Sequence, residues 1–145
     1  MKNLLILVVA LFGIVLASGL AYSKEITVDM LNKRADGEKM VYSQDVIKVK
    51  SGDIVTWLPK TKGHNVEFIG VPEGVKKIKK SKLHKKVSYT FETPGIYLYQ
   101  CTPHKSMGMI GLVIVDDNID NKAKIAKAKV RGKSKKKLKK LLSDI

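Results

Sequence analysis

The chain has 145 residues, a mass of 16.1 kDa and a formal charge of +15. That length suits one domain, and an apolar share of 44% supplies a core, which argues against general disorder. One Cys excludes an internal disulfide and a four-cysteine zinc site, the apolar pattern excludes a multi-span membrane protein, and the excess charge calls for an anionic partner.

In chain order, Met1-Lys2-Asn3 is a short basic start and Leu4 to Leu16 an uncharged apolar run, too short to span a bilayer comfortably. Small residues follow at Gly19 and Ala21, with Ala21 and Ser23 as a second option for cleavage. Residues 1–21 therefore read as a secretory signal peptide, the competing reading being an uncleaved anchor. No Cys follows the run, which excludes a lipoprotein anchor. Removal of residues 1–21 takes away only Lys2 among the charged groups and leaves +14.

From Glu25 the pattern has period two, with Ile26, Val28 and Met30 on one side of a half-buried strand. Further strands are expected at Met40–Tyr42, Val46–Lys50, Asp53–Leu58, Val66–Ile69, Val87–Phe91, Ile96–Gln100 and Gly111–Val115. Ser51-Gly52-Asp53 and Thr93-Pro94-Gly95 are turns, and Pro59 stops a strand. About eight short strands separated by turn signals predict an all-β, antiparallel sandwich over residues 22–115.

Composition changes after Val115. Residues 116–145 carry 11 Lys or Arg against 4 Asp, a net of +7. Asn118 is placed to cap a helix with Ala123, Ala126 and Val130 on one face, ended by Gly132. Leu138, Leu141, Leu142 and Ile145 repeat at helical spacing, with Ser134 as a cap. Two short helices docked on the sandwich are expected, against the alternative of a disordered basic tail.

The chemistry-bearing residues concentrate between the last two strands, in Cys101-Thr102-Pro103-His104-Lys105-Ser106-Met107-Gly108-Met109. A thiolate, an imidazole and a thioether turned toward one point are soft and borderline donors that suit both oxidation states of copper. Zinc also accepts thiolate and imidazole, but a thioether serves it poorly. His64, beside Gly63, is the candidate second imidazole, and Met107 and Met109 compete for the thioether role. His84, in a charged stretch, reads as an ordinary exposed His.

Lys62-Gly63-His64-Asn65-Val66-Glu67, the run Tyr97 to Met109 and Gly111 to Val115 resemble the cupredoxin (blue copper) family, in its pseudoazurin branch. Val28 to Lys33 and Gly52 to Thr56 share the likeness, as do the C-terminal helices. The resemblance implies a Greek-key sandwich holding one type 1 copper, with His64, Cys101 and His104 equatorial and Met109 axial. It also implies that the Asn65 N–H donates to the Cys sulfur and its side chain ties two loops, while Pro103, lacking an N–H, adds no second bond.

The function so implied is a periplasmic, monomeric one-electron carrier and not an enzyme. Electrons would leave through His104 to an acidic redox protein such as copper nitrite reductase, nitrous-oxide reductase or a c-type cytochrome. Met40, Pro103 and Met107 are expected in the docking patch, ringed by Lys33, Lys62, Lys79, Lys80 and Lys105. Lys105 departs from the aromatic residue often found after the exposed His. The C-terminal helices are expected far from the copper end. The alternative is a periplasmic copper carrier without a dedicated electron-transfer role. Nucleic-acid binding and stable membrane insertion are not expected.

Overall fold

Eight strands form two four-stranded sheets in a computed structural model, which describes residues 22–145. The signal segment expected at residues 1–21 lies outside the described residues. One sheet runs in the order β2 (Lys39–Tyr42), β1 (Glu25–Lys33), β4 (Ile54–Pro59), β6 (Val87–Thr90). The other runs β3 (Val46–Val49), β8 (Ile110–Val115), β7 (Gly95–Gln100), β5 (Glu67–Gly70). The all-β Greek-key expectation holds, with the ends of β2 to β8 within one residue of those read from the pattern and β1 running three residues past Met30.

The purely antiparallel reading does not hold. β1 pairs parallel with β4, and β3 pairs parallel with β8. The cause is the route of the chain: between β1 and β4 it crosses to the other sheet as β3 and returns in its original direction. Tight hairpins alone cannot produce such a ladder. Pro59 is the last residue of β4, opposite Met30, so it closes the strand from within it.

Alternation directs the packing. Val28 and Met30 of β1 are fully buried between the sheets, with Trp57 at the centre and its ring 5.1 Å from that of Tyr99. Edge-on aromatic contacts of this kind add to area burial. β7 and β8 are buried on both faces. Tyr97, Tyr99 and Val113 face the inter-sheet core, whereas Ile96, Leu98, Ile110, Leu112 and Ile114 face outward and form a second core.

That second core is covered by α1 (Lys122–Ala126) and α2 (Lys133–Ser143). Ile125, Leu138, Leu141 and Leu142 insert into it, each stabilising the fold by roughly 1.5–3 kcal/mol through apolar burial. The basic tail is therefore docked, as the Leu spacing predicts.

The caps differ from expectation. Asn118 Oδ1 accepts the Asp120 N–H two residues on, which makes a turn before α1 begins. Asn121 precedes α1, and its amide both donates to the Ile96 carbonyl and accepts the Ile96 N–H, pinning the helix to β7. Gly132 opens α2 instead of closing α1, and Ser134 sits inside α2, fully buried.

An ion-pair network adds a second fastening. Asp45 lies 2.6 Å from Lys137 of α2 and 3.2 Å from Arg34. Burial alone would raise the Asp45 pKa, but the two cations prevail and hold it below the usual carboxylate value. A depressed folded-state pKa gives stability that is present above about pH 4 and lost as pH falls through the folded value. Asp45→Asn should therefore lower Tm at pH 7, by a loss on the order of 1 kcal/mol for so partly exposed a network. The gap between variant and wild type should close below about pH 4. A gap that stays constant with pH, measured by thermal melts, would contradict this linkage.

Candidate metal centre

Two loops meet at one end of the sandwich. The first follows β4 and carries Gly63, His64 and Asn65; the second joins β7 to β8 and carries Cys101 through Met109. Gly63 has φ of +95°, a left-handed conformation that glycine adopts without strain. A methyl group there would sit 3.8 Å from the His104 ring, an ordinary contact, so backbone conformation and not crowding requires the glycine.

The loops are fastened to each other. The Thr102 N–H donates to Asn65 Oδ1 (2.8 Å), and Asn65 Nδ2 donates to Thr102 Oγ1 (3.1 Å) and to the Ser81 carbonyl (3.2 Å). Within the second loop the Cys101 N–H donates to the Met109 carbonyl, the His104 N–H to the Cys101 carbonyl and the Met107 N–H to the His104 carbonyl.

Three donor atoms converge as a result. His64 Nδ1 and His104 Nδ1 lie 3.2 Å apart, and Cys101 Sγ lies 3.3 Å from the latter and 3.8 Å from the former. Among the described residues, His64, Cys101 and His104 form the group of side chains whose spacing suits a metal ion. A point equidistant from the three atoms is about 2.0 Å from each. Such a radius matches metal–nitrogen bonds of about 2.0–2.1 Å and falls somewhat inside the metal–sulfur length of about 2.3 Å. The spacing of the three donor atoms fits one metal ion, which His64, Cys101 and His104 would hold.

Protonation favours the same use. Burial, with positive potential from His104 and His84, lowers the His64 pKa to about 4, so its ring is neutral at pH 7. Burial also lowers His104. The His64 Nε2–H donates to Asn32 Oδ1 (2.8 Å) and approaches Thr61 Oγ1 (3.1 Å), which leaves the Nδ1 lone pair toward Cys101. A partner on the far ring nitrogen fixes both tautomer and orientation of a metal-binding His. Burial raises the Cys101 thiol, opposed by the backbone N–H groups of Asn65 and His104.

The two thioethers differ in burial. Met109 is fully buried in the cluster that holds Cys101, whereas Met107 is 46% exposed. Pro103 is exposed, His104 and Lys105 are half-buried, and Met40 is half-buried against the inter-sheet core. Lys33, Lys62, Lys79 and Lys80 are all exposed. Lys33 and Lys62 adjoin Asn32 and Gly63. Lys79 and Lys80 precede Ser81, whose carbonyl and hydroxyl accept from Asn65 and Val66.

Sequence reasoning missed the supporting shell. Asn32 lies in the Val28 to Lys33 segment that shares the family likeness, which assigns it no role. His84 is exposed, as expected, yet its Nδ1 accepts the Gly63 N–H at 2.7 Å and so braces the first loop. Its φ of +59° is unusual for a residue with a side chain, and no local pattern signals it.

The C-terminal helices are not remote from this end. The Lys133 N–H, at the start of α2, donates to the Ser106 carbonyl (2.9 Å), and Ser134 Oγ donates to the Lys105 carbonyl (2.7 Å). The expectation of distance fails because the second core carries α2 along β8 up to the loop.

Residues 28–116 match the family described as copper binding proteins, plastocyanin/azurin family. A pseudoazurin from Paracoccus pantotrophus is 39% identical over 124 residues, covering 84% of this chain and 83% of the relative. A solved Sinorhizobium pseudoazurin is 40% identical with a TM-score of 0.79, over 83% of this chain and 95% of that one. Native pseudoazurin from Hyphomicrobium denitrificans gives 36% identity and a TM-score of 0.77, over 83% and 98% of the two chains.

Proposed function

The chain belongs to the plastocyanin/azurin family of copper-binding proteins, in its pseudoazurin branch, and from that premise we propose a periplasmic one-electron carrier with His64, Cys101 and His104 as equatorial ligands and Met109 as the weak axial ligand of one type 1 copper. Bound there, the ion supplies a reversible Cu(II)/Cu(I) couple. The observation that carries the reading is the triangle of two Nδ1 atoms and one Sγ, each edge between 3.2 and 3.8 Å.

The protein's own groups do the rest. Asn32 keeps His64 in the tautomer with a free Nδ1, and the Asn65–Thr102 bonds hold the two loops in one relation. A rigid frame gives both oxidation states the same donors, so little rearrangement accompanies transfer. His104 is half-buried and is flanked by exposed Pro103 and Met107, which makes its ring the exit toward a partner. Among the described residues no helix is long and apolar enough to cross a membrane.

The two sulfurs can be separated. Met109→Gln should shift the visible spectrum and the reduction potential while copper still binds, because an axial donor tunes the site without creating it. Met107→Gln should leave the spectrum unchanged and alter partner kinetics. The reverse pattern, read by absorption and voltammetry, would assign the axial role to Met107.

Partners of this reading are acidic redox proteins, with copper nitrite reductase, nitrous-oxide reductase and c-type cytochromes as the candidates to assay. Like charges around a docking face raise encounter rates roughly 10- to 1000-fold at low salt. Transfer to such a partner should slow as salt rises. Lys62→Glu and Lys105→Glu should slow it more than Lys139→Glu, whose charge lies about 9 Å farther along α2 than Lys133, beyond a Debye length of about 8 Å. Stopped-flow rates indifferent to salt, or a larger loss from Lys139→Glu, would move the docking face away from His104.

A further inference from the structure

We propose that Ser134 and the Lys133 amide are positioning groups for the metal centre: the first turn of α2 holds the backbone of the loop that carries His104. The inference rests on the ligand assignment above and adds a part of the molecule outside both ligand loops.

Both contacts run from donors of α2 to carbonyls of the loop. The first N–H groups of a helix have no partner within it. Gly132, at the cap position of α2, offers no side chain to satisfy them. The Ser106 carbonyl takes that role by accepting the Lys133 N–H at 2.9 Å. One residue on, the fully buried Ser134 donates its hydroxyl to the Lys105 carbonyl at 2.7 Å. Two successive carbonyls directly after His104 are thus fixed from outside the loop. Gly132 is required for the approach: a Cβ there would collide with the Ser106 carbonyl oxygen, and its φ of +54° disfavours other residues.

The clamp has a firm base. Leu138, Leu141 and Leu142 seat α2 on Ile110, Leu112 and Ile114 of β8, the strand that begins directly after Met109. Ile96 and Leu98 of β7, the strand that runs into Cys101, lie in the same cluster. The helix therefore references the His104 bend to the two strands that carry the other donors of the second loop. The loop's own bonds, from the His104 and Met107 amides, close short turns and do not fix the bend to the sandwich.

The test compares Ser134→Ala, Ser134→Thr and Lys133→Pro in the copper-loaded protein. Proline is tolerated at the first position of a helix, so Lys133→Pro spares α2 while it removes the donor and, with its ring carbon in the hydrogen's place, pushes the Ser106 carbonyl away. Retention of an intense visible band in the unmodified protein tests the ligand reading separately. Given that band, Ser134→Ala should release Cu(I) to a chelator about tenfold faster, the equivalent of one buried hydrogen bond. It should also raise the reduction potential, since a looser His104 favours the state that tolerates fewer ligands. NMR of the reduced protein should show faster amide exchange at Met107. Lys133→Pro should act in the same direction, and Ser134→Thr should restore wild-type values. A lower Tm with unchanged potential, spectrum and release rate in both Ser134→Ala and Lys133→Pro would overturn the proposal, leaving α2 a purely structural element.

Discussion

Cys101→Ala should abolish the intense visible absorption of the copper-loaded protein while the sandwich stays folded. Cys101 is the one thiol in the chain, so no other group can supply a covalent sulfur–copper charge-transfer band. The substitution removes one buried sulfur at a fully enclosed position, a small volume that costs on the order of 1 kcal/mol. The loops keep their relation because the Asn65–Thr102 hydrogen bonds do not involve the sulfur. His64 and His104 remain as imidazoles, and copper on them alone gives only the weak colour of ordinary nitrogen coordination. Circular dichroism and absorption of the same sample check both halves. A variant that kept an intense blue or green colour would refute Cys101 as the ligand.

Leu138→Ala should strongly destabilise the docking of the C-terminal extension. Leu138 is 3% exposed and lies in the cluster that joins α2 to the outer faces of β7 and β8. Truncating a core Leu costs about 2–5 kcal/mol, through lost burial and the cavity left behind. For a domain of this size that is a fall in Tm on the order of 10 °C. Its exposed neighbour changed as Lys139→Ala should stay within about 0.5 kcal/mol of wild type. Equal melts for the two variants would mean that α2 is not docked through its leucines.

Most of the architecture was legible because the half-buried strands alternate, while β7 and β8, buried on both faces, stand out as continuous β-forming runs. Val28 and Met30 on β1 announce a half-buried ribbon by alternation alone. Leu138, Leu141 and Leu142 likewise announce a docked helix despite the density of Lys around them. What the pattern could not show is direction: the parallel ladders of β1 with β4 and β3 with β8 depend on where the chain crosses between sheets, not on any local residue preference.

The proposed donors Cys101, His104 and Met109 can be read together from spacing, since they share one inter-strand loop. The groups that hold the histidine and its loop in place were not legible in this way. Asn32 reaches His64 from 32 positions away, and Ser134 reaches Lys105 from 29. Such contacts are consequences of the fold and leave no local pattern. Ser134 shows the ambiguity well: Ser near a helix start usually caps it, and here its hydroxyl turns outward to the ligand loop instead.

The central claim is that His64, Cys101 and His104 hold one type 1 copper. The measurement that meets it most directly is the absorption and EPR spectrum of the purified protein loaded with one equivalent of Cu(II). An intense visible thiolate-to-copper band is expected, together with the narrow copper hyperfine splitting of a covalent Cu–thiolate bond, both lost on reduction and regained on oxidation. A pale solution with the broad splitting of ordinary tetragonal Cu(II) would contradict it.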